Sequence, residues 1–182
     1  MDKNNRISLD YLLNEIKEAF KDVPCPKDED ILLAGMAEAE YFGNLTAGLR
    51  GVKWIDLAAH CYSSETDFYS WPWLSDLTSV AYRYYLPGYM MIAIRYYDKC
   101  AVEDLVESLI LKGDFLIPEF SDELRNELAG RRREKYDLFS LPQKHVIRLF
   151  LGYLDVTHLE DIQYWKPELT PQAALKQYWE EF

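Results

Sequence analysis

The chain has 182 residues, of which 49% are hydrophobic and 28% charged, and it carries a formal net charge of −11. That length can bury a core without disulfide or metal staples, and the composition excludes a disordered chain. The acidic excess repels phosphate backbones and anionic lipid, which excludes nucleic acid and membrane surfaces as partners.

The charge is concentrated at the two ends. Residues 1–40 carry −5 and residues 155–182 carry −4, leaving −2 for the long middle. Such a distribution favours a partner with a basic surface. The 14 Tyr, 8 Phe and 5 Trp are the compositional outlier, and tyrosine in such numbers implies half-buried rings whose hydroxyls need partners. Cys25, Cys61 and Cys100 are odd in number and lack paired spacing, so they read as reduced thiols of a cytoplasmic protein. Met1–Asp10 is too polar for a signal peptide or an anchor. The most apolar run, Tyr84 to Ile94, is far short of the roughly 20 residues of a membrane span.

Leu9, Leu12, Leu13, Ile16 and Phe20 fall on one face of a predicted helix over 8–20, with Ser8 as N-cap. Pro24-Cys25-Pro26 breaks it. Asp28, Glu29 and Asp30 open a second predicted helix with Ile31, Leu32, Met36 and Tyr41 inward, ending at Gly43-Asn44. Residues 43–76 are the long irregular segment, punctuated by Gly48, Gly51, Ser63-Ser64 and Trp71-Pro72-Trp73. Within it Trp54–Ala59 fits a helical turn or a short strand equally. Thr78 or Ser79 caps a helix through Val80, Ala81, Tyr84 and Tyr85. Pro87 then kinks or restarts it and pushes Leu86 out of the α region. Met90–Ile94 is apolar all round, as in a segment buried on several sides. Helix is favoured over strand for 89–95.

Asp98–Lys112 is predicted helical, with Leu105, Val106, Leu109 and Ile110 on one face and Gly113 ending it. Phe115–Pro118 is a short connection. Ser121 caps a helix with Leu124 and Leu128 inward and Arg131-Arg132-Arg133 closing it. Ser140 and Pro142 open the clearest helix, to about Leu154, with Val146, Leu149, Phe150, Tyr153 and Leu154 as its stripe. Lys144, His145 and Arg148 take its polar, exposed face. Thr170-Pro171 opens a last helix burying Ala174, Leu175, Tyr178 and Trp179. The expected fold is all-α, one irregular helical bundle over 1–182 with a kinked central helix at Pro87.

Walker, dinucleotide, nucleophile-elbow, zincin and calcium-loop motifs are all missing from the chain. His60-Cys61 with Cys25 and Cys100 makes a poor tetrahedral metal site, and buried, inert thiols are the better reading. Asp155, His158, Glu160 and Asp161 have a spacing that suits a hydrated cation or acid–base work, but a solvated loop after the preceding helix is favoured. No metal, cofactor or catalytic residue is therefore assigned. The least ordinary feature is the run around Pro87. Arg83 with Tyr82, Tyr84, Tyr85 and Tyr89, and Arg95 beyond them, can line a pocket for an anionic or aromatic ligand. The competing reading has the same side chains bury their stems and wet their tips.

Leu77-Thr78-Ser79-Val80-Ala81-Tyr82-Arg83-Tyr84-Tyr85-Leu86-Pro87-Gly88-Tyr89 resembles the central signature of a bacterial family known as domain of unknown function 6714. Phe139-Ser140-Leu141-Pro142-Gln143-Lys144-His145-Val146-Ile147-Arg148-Leu149-Phe150-Leu151-Gly152-Tyr153-Leu154 is similar to its later signature, and Glu18-Ala19-Phe20, Pro24 and Trp54 sit where the family has similar residues. Gly88 stands where the resemblance implies alanine, which loosens the backbone after Pro87. The resemblance covers patches of 8–154 and stops before Asp155. It supports the fold, implies no activity and transfers no catalytic residue.

Three functional expectations follow. The first is a non-enzymatic acidic protein, of an immunity or antitoxin kind, that binds a basic protein partner. The second is a small-molecule binder or hydrolytic enzyme with its pocket at Arg83, Tyr84 and Tyr85. The third is a structural module with an apolar patch including Trp71, Trp73 or Trp179.

Overall fold

The structure is a computed structural model and describes residues 7–33, 49–57, 59, 74–111 and 121–182. The predicted helix through Met36 and Tyr41, most of the irregular segment with His60, Cys61, Trp71 and Trp73, and the connection at Phe115–Pro118 lie outside the described residues. Within them the chain is all-α. Among the described residues there are seven α-helices and several 3₁₀ turns, and an isolated antiparallel bridge pairs Leu32 with Leu77. The helices are α1 (Leu9–Phe20), α2 (Ser79–Arg95), α3 (Val102–Ser108), α4 (Asp122–Asp137), α5 (Leu141–Thr157), α6 (Leu159–Ile162) and α7 (Pro171–Gln177). Among the described residues no helix is long and apolar enough to cross a membrane.

Contacts divide the chain into two compact units. One comprises Met1–Ala19 with Glu103–Phe182, the other Phe20–Val102.

In the first unit, α1 forms where its 3.6-residue pattern predicts, with the Tyr11 N–H donating to Ser8 Oγ. Leu12, Leu13, Ile16 and Phe20 are buried, while Leu9, at the uncovered first turn, is 42% exposed. α3 begins at Val102 rather than Asp98, because a 3₁₀ turn over Tyr97–Lys99 intervenes. Its apolar residues Leu105 and Val106 are buried, as are Leu109 and Ile110 just beyond it.

α4 starts on its Ser121 cap and runs past the three arginines to Asp137, since Glu134, Lys135 and Tyr136 keep the helical register. Leu124 is exposed, against expectation, and Tyr136 is the one residue of α4 fully inside. Its hydroxyl donates to the Ser108 carbonyl at 2.7 Å, and Arg132 donates to the Ile110 carbonyl at 2.8 Å.

α5 opens on a capping box. Ser140 accepts from the Gln143 N–H, and the Gln143 amide oxygen accepts from the Ser140 N–H. Gln143 Nε2 also donates to the Ala19 carbonyl at 3.1 Å, tying α5 to the end of α1. α5 packs against α7. Pro171 at the first position of α7, capped by Thr170, follows the N-terminal preference of proline.

In the second unit, Asp28–Asp30 is a short 3₁₀ turn rather than the first turn of a helix. The backbone instead pairs with the entry to α2. Thr78 N–H donates to the Ile31 carbonyl at 3.0 Å, Leu33 N–H donates to Asp76 at 3.0 Å, and Thr78 Oγ1 donates to the Asp30 carbonyl. The same Thr78 oxygen caps α2 by accepting from Ala81 N–H at 3.2 Å. The ambiguous Trp54–Asp56 stretch is a 3₁₀ turn, and it packs on α2.

α2 passes through Pro87 without restarting, so Leu86 stays helical. An interior proline has no N–H to close its turn and costs about 3 kcal/mol in an exposed helix. Here tertiary burial outweighs that cost. Every residue from Tyr84 to Ile94 is buried, so the apolar-all-round reading of Met90–Ile94 holds and the strand alternative falls.

Candidate functional site

The six residues marked around Pro87 all lie on α2, which makes their separation calculable. Tyr82, Tyr85 and Tyr89 stand at i, i+3 and i+7 and share a face. Arg83 and Arg95 are twelve positions apart, about 18 Å along the axis. Tyr82, Tyr84, Tyr85 and Tyr89 are inside the protein, Arg83 is half-buried and Arg95 is exposed. The phenols are therefore not a displayed recognition surface.

Two of them have identifiable work. Tyr85 Oη donates to the Leu49 carbonyl at 2.8 Å. That oxygen also accepts from the Val52 N–H at 3.1 Å, in a turn where Gly51 supplies a φ of 71°. Tyr84 packs edge-on to Tyr85 with centroids 4.9 Å apart. Its hydroxyl shares a hydrogen bond with the Cys25 sulfur and takes another from the Trp54 backbone.

The 3₁₀ turn at Trp54 meets α2 at Gly88. A Cβ there would lie 2.6 Å from the Trp54 carbonyl oxygen and 2.8 Å from Leu57 Cδ2. Gly88 is thus a close-approach glycine rather than a loosening one, because the turn sits where an alanine methyl would be. Cys25 corrects a second expectation, being exposed rather than buried. Cys100 is half-buried and close to the inert reading, since burial pushes its thiol up to about 12.

Burial raises Tyr84 from its ordinary 10.0 to about 12, helped by Cys25 and opposed by the Trp54 hydrogen bond. Burial likewise raises Tyr85. A phenol that resists ionisation only when folded stabilises the protein fully below pH 10. Above that, the unfolded chain releases its proton first, and stability falls by about 1.4 kcal/mol per pH unit for each such group. Tyrosinate absorbance from these phenols is therefore expected to rise between pH 10 and about 12 together with loss of helical circular dichroism. Complete ionisation of all 14 tyrosines with the helices intact would contradict the burial.

The sequence reading missed a polar cluster in the other unit. Lys144 is only 8% exposed, not on a solvated face. Its Nζ donates to Tyr178 Oη at 2.6 Å and lies 3.3 Å from Asp137 Oδ1. Tyr178 Oη in turn donates to Asp137 Oδ1 at 2.5 Å. The ammonium also sits 5.0 Å from the Tyr178 ring centre and 4.5 Å from that of Phe182, within cation–π range. The Tyr178 hydroxyl is the main reason the Asp137 carboxyl is held below its ordinary value, and burial raises Tyr178 itself.

The sequence does carry a signal for this burial. Lys144, Ile147, Leu151 and Leu154 stand at i, i+3, i+7 and i+10, so the lysine heads an apolar stripe. His145 is half-buried rather than exposed, with Nδ1 3.2 Å from the Phe182 main-chain oxygen. Hydrogen-bonded to Tyr178 and Asp137, Lys144 clamps residues 178–182 onto α5. It is a structural cation.

The acidic group near His158 sits in helix rather than loop. α5 continues to Thr157, His158 caps it, and α6 follows at once. Glu160 and Asp161 are exposed, and Asp155 is half-buried, its carboxyl raised by burial. Among the described residues, no three His, Cys, Asp or Glu side chains are grouped to hold a metal ion. Beside the acids stand Val156, Leu159 and Tyr164, which are 47%, 59% and 83% exposed. Trp179, in contrast, is fully buried and belongs to no surface patch.

The sequence model of DUF6714, a family of unknown function, matches residues 8–182. The chain therefore belongs to that family, and the match runs through Asp155 to Phe182, beyond where the sequence resemblance stopped. No curated protein and no solved structure matches the chain.

Proposed function

We propose that this member of DUF6714 is a non-enzymatic binding protein whose partner is a protein with a basic surface. The observation that carries this reading is the stretch from the last turn of α5 onward. In residues 155–182 six acids face two bases, and Glu160, Asp161, Glu180 and Glu181 are all exposed. Concentrated surface charge of one sign steers a partner of the opposite sign and rejects like-charged ones. An immunity or antitoxin role in the bacterial cytoplasm is one form such a binder takes. The free, exposed thiol of Cys25 suits a reducing compartment.

The alternative, a ligand pocket or hydrolytic site at Arg83, Tyr84 and Tyr85, is favoured only by the half-burial of Arg83. It stands second because the Tyr84 and Tyr85 hydroxyls already serve Cys25 and Leu49.

The test is an affinity capture comparing the intact chain with a variant carrying Glu160→Gln, Asp161→Asn, Glu180→Gln and Glu181→Gln. The intact chain is expected to retain basic proteins that rising salt releases, and the variant is expected to lose them. Capture that shows no bias towards basic proteins, or that the variant leaves unchanged, would overturn the proposal.

A further inference from the structure

We infer that the docking surface is the corner where α5 meets α6. There Val156, Leu159 and Tyr164 form the apolar contact and Asp155, Glu160 and Asp161 the acidic rim, and the occupant is a short, basic, amphipathic segment of another protein. This inference rests on the reading above and deepens it by naming the site and the partner's chemistry.

The six residues fall within ten consecutive positions of two short-linked helical pieces, a stretch comparable with a short peptide segment. Their exposure is not that of a frayed end. Ile162, between them, is 3% exposed and anchors the turn. The backbone is closed by hydrogen bonds from Asp161 and Ile162 to the His158 carbonyl, from Gln163 to Leu159, from Tyr164 to Asp161 and from Trp165 to Ile162. Gln163 Nε2 adds a bond to the Glu160 carbonyl at 2.7 Å. A hydrogen-bonded backbone thus displays Tyr164, the most exposed of the large apolar side chains among the described residues. An amphipathic ring with only two side-chain torsions loses little entropy on binding, which is why tyrosine is frequent at interface centres.

Charge selects the occupant. Among the described residues neither Glu160 nor Asp161 is in an ion pair. A second copy meeting this corner through its own corner would bring the same acids to the contact and repel it. Lysine or arginine side chains over the acids, with an aliphatic or aromatic side chain between them against Leu159 and Tyr164, satisfy both halves of the corner.

The probe is a fluorescent amphipathic peptide of about 12 residues built from lysine and leucine at helical spacing. It is compared with an oligolysine of equal length and with a glutamate-for-lysine version. Anisotropy is read on the full chain at about 50 and about 300 mM salt. The lysine–leucine peptide is expected to bind roughly tenfold more tightly than oligolysine, and the glutamate version not at all. Leu159→Ser with Tyr164→Ala is expected to weaken the peptide roughly tenfold while leaving the melting temperature unchanged, because both side chains are exposed. Glu160→Gln with Asp161→Asn is expected to flatten the salt dependence.

If the lysine–leucine peptide binds in a salt-dependent way but the Leu159/Tyr164 variant binds it equally, this corner is overturned and the general reading stands. No binding of either basic peptide removes both. Dimerisation abolished by Tyr164→Ala would make a second copy the occupant and overturn the basic-segment assignment.

Discussion

A Gly88→Ala variant is expected to lose about 1–3 kcal/mol of stability, while Gly130→Ala in α4 is expected to gain about 0.5–1 kcal/mol. Both positions are interior to helices, so the intrinsic preference for alanine is the same at each. The surroundings reverse the sign. At Gly130 a methyl meets nothing within 4 Å, and only the propensity gain remains. At Gly88 it meets the Trp54 carbonyl oxygen at 2.6 Å. That atom is backbone, and the turn carrying it is held by the Asp56 N–H bond to the Lys53 carbonyl at 2.9 Å. Leu57 is fully buried and its Cβ lies at 3.1 Å, so neither it nor the carbonyl can retreat unless the turn moves away from α2. That movement would also disturb the Trp54 hydrogen bond to Tyr84. Urea unfolding of the two single variants checks the pair. Equal shifts in the same direction would show that the close approach carries no energy.

The two glycines show what sequence pattern can reach. A helix-forming period says where α1, α2 and α5 run, because the period depends on burial of one face, and the caps Ser8, Thr78, Ser121, Ser140 and Thr170 are legible since each satisfies orphan N–H groups locally. Boundaries set by tertiary contact are less legible. α4 continues past its arginines to bury Tyr136, and α2 survives Pro87 because burial on all sides outweighs the missing hydrogen bond.

The same limit governs the candidate sites. The tyrosines around Pro87 drew attention by composition, yet their hydroxyls are committed to Leu49 and Cys25, partners distant in sequence. Lys144 belongs to the polar face by residue type, yet its spacing places it in line with Ile147, Leu151 and Leu154. Its ion partner Asp137 and its ring partners Tyr178 and Phe182 come from other elements. The corner at Leu159 and Tyr164 falls in the stretch whose acids read as a solvated loop, and its helical backbone, with Ile162 buried beneath it, depends on packing that pattern alone does not show.

Trp179→Ala is expected to have the largest effect of any single change in the first unit. The ring is fully buried, and truncating a buried aromatic costs about 3–5 kcal/mol in lost burial and cavity. It also removes a donor. Trp179 Nε1 bonds the Leu109 carbonyl at 2.7 Å, and a buried acceptor left unsatisfied costs about 1–3 kcal/mol more. Together these approach the whole stability of many domains, about 5–15 kcal/mol. The damage would spread through the rings around it. Tyr136, Tyr178 and Phe139 have centroids 4.8, 4.9 and 6.1 Å away. Tyr178 is the residue that satisfies Lys144, so loosening it leaves a buried ammonium with the partly exposed Asp137 as its remaining anion.

Trp179→Phe separates the contributions. It keeps most of the ring contacts and deletes the donor, so it is expected to cost about 1–3 kcal/mol and to leave a folded protein whose denaturant slope is unchanged. If Trp179→Ala unfolds within about 1 kcal/mol of the parent, the ring does not hold residues 178–182 in place. The Lys144 clamp must then hold that segment by itself.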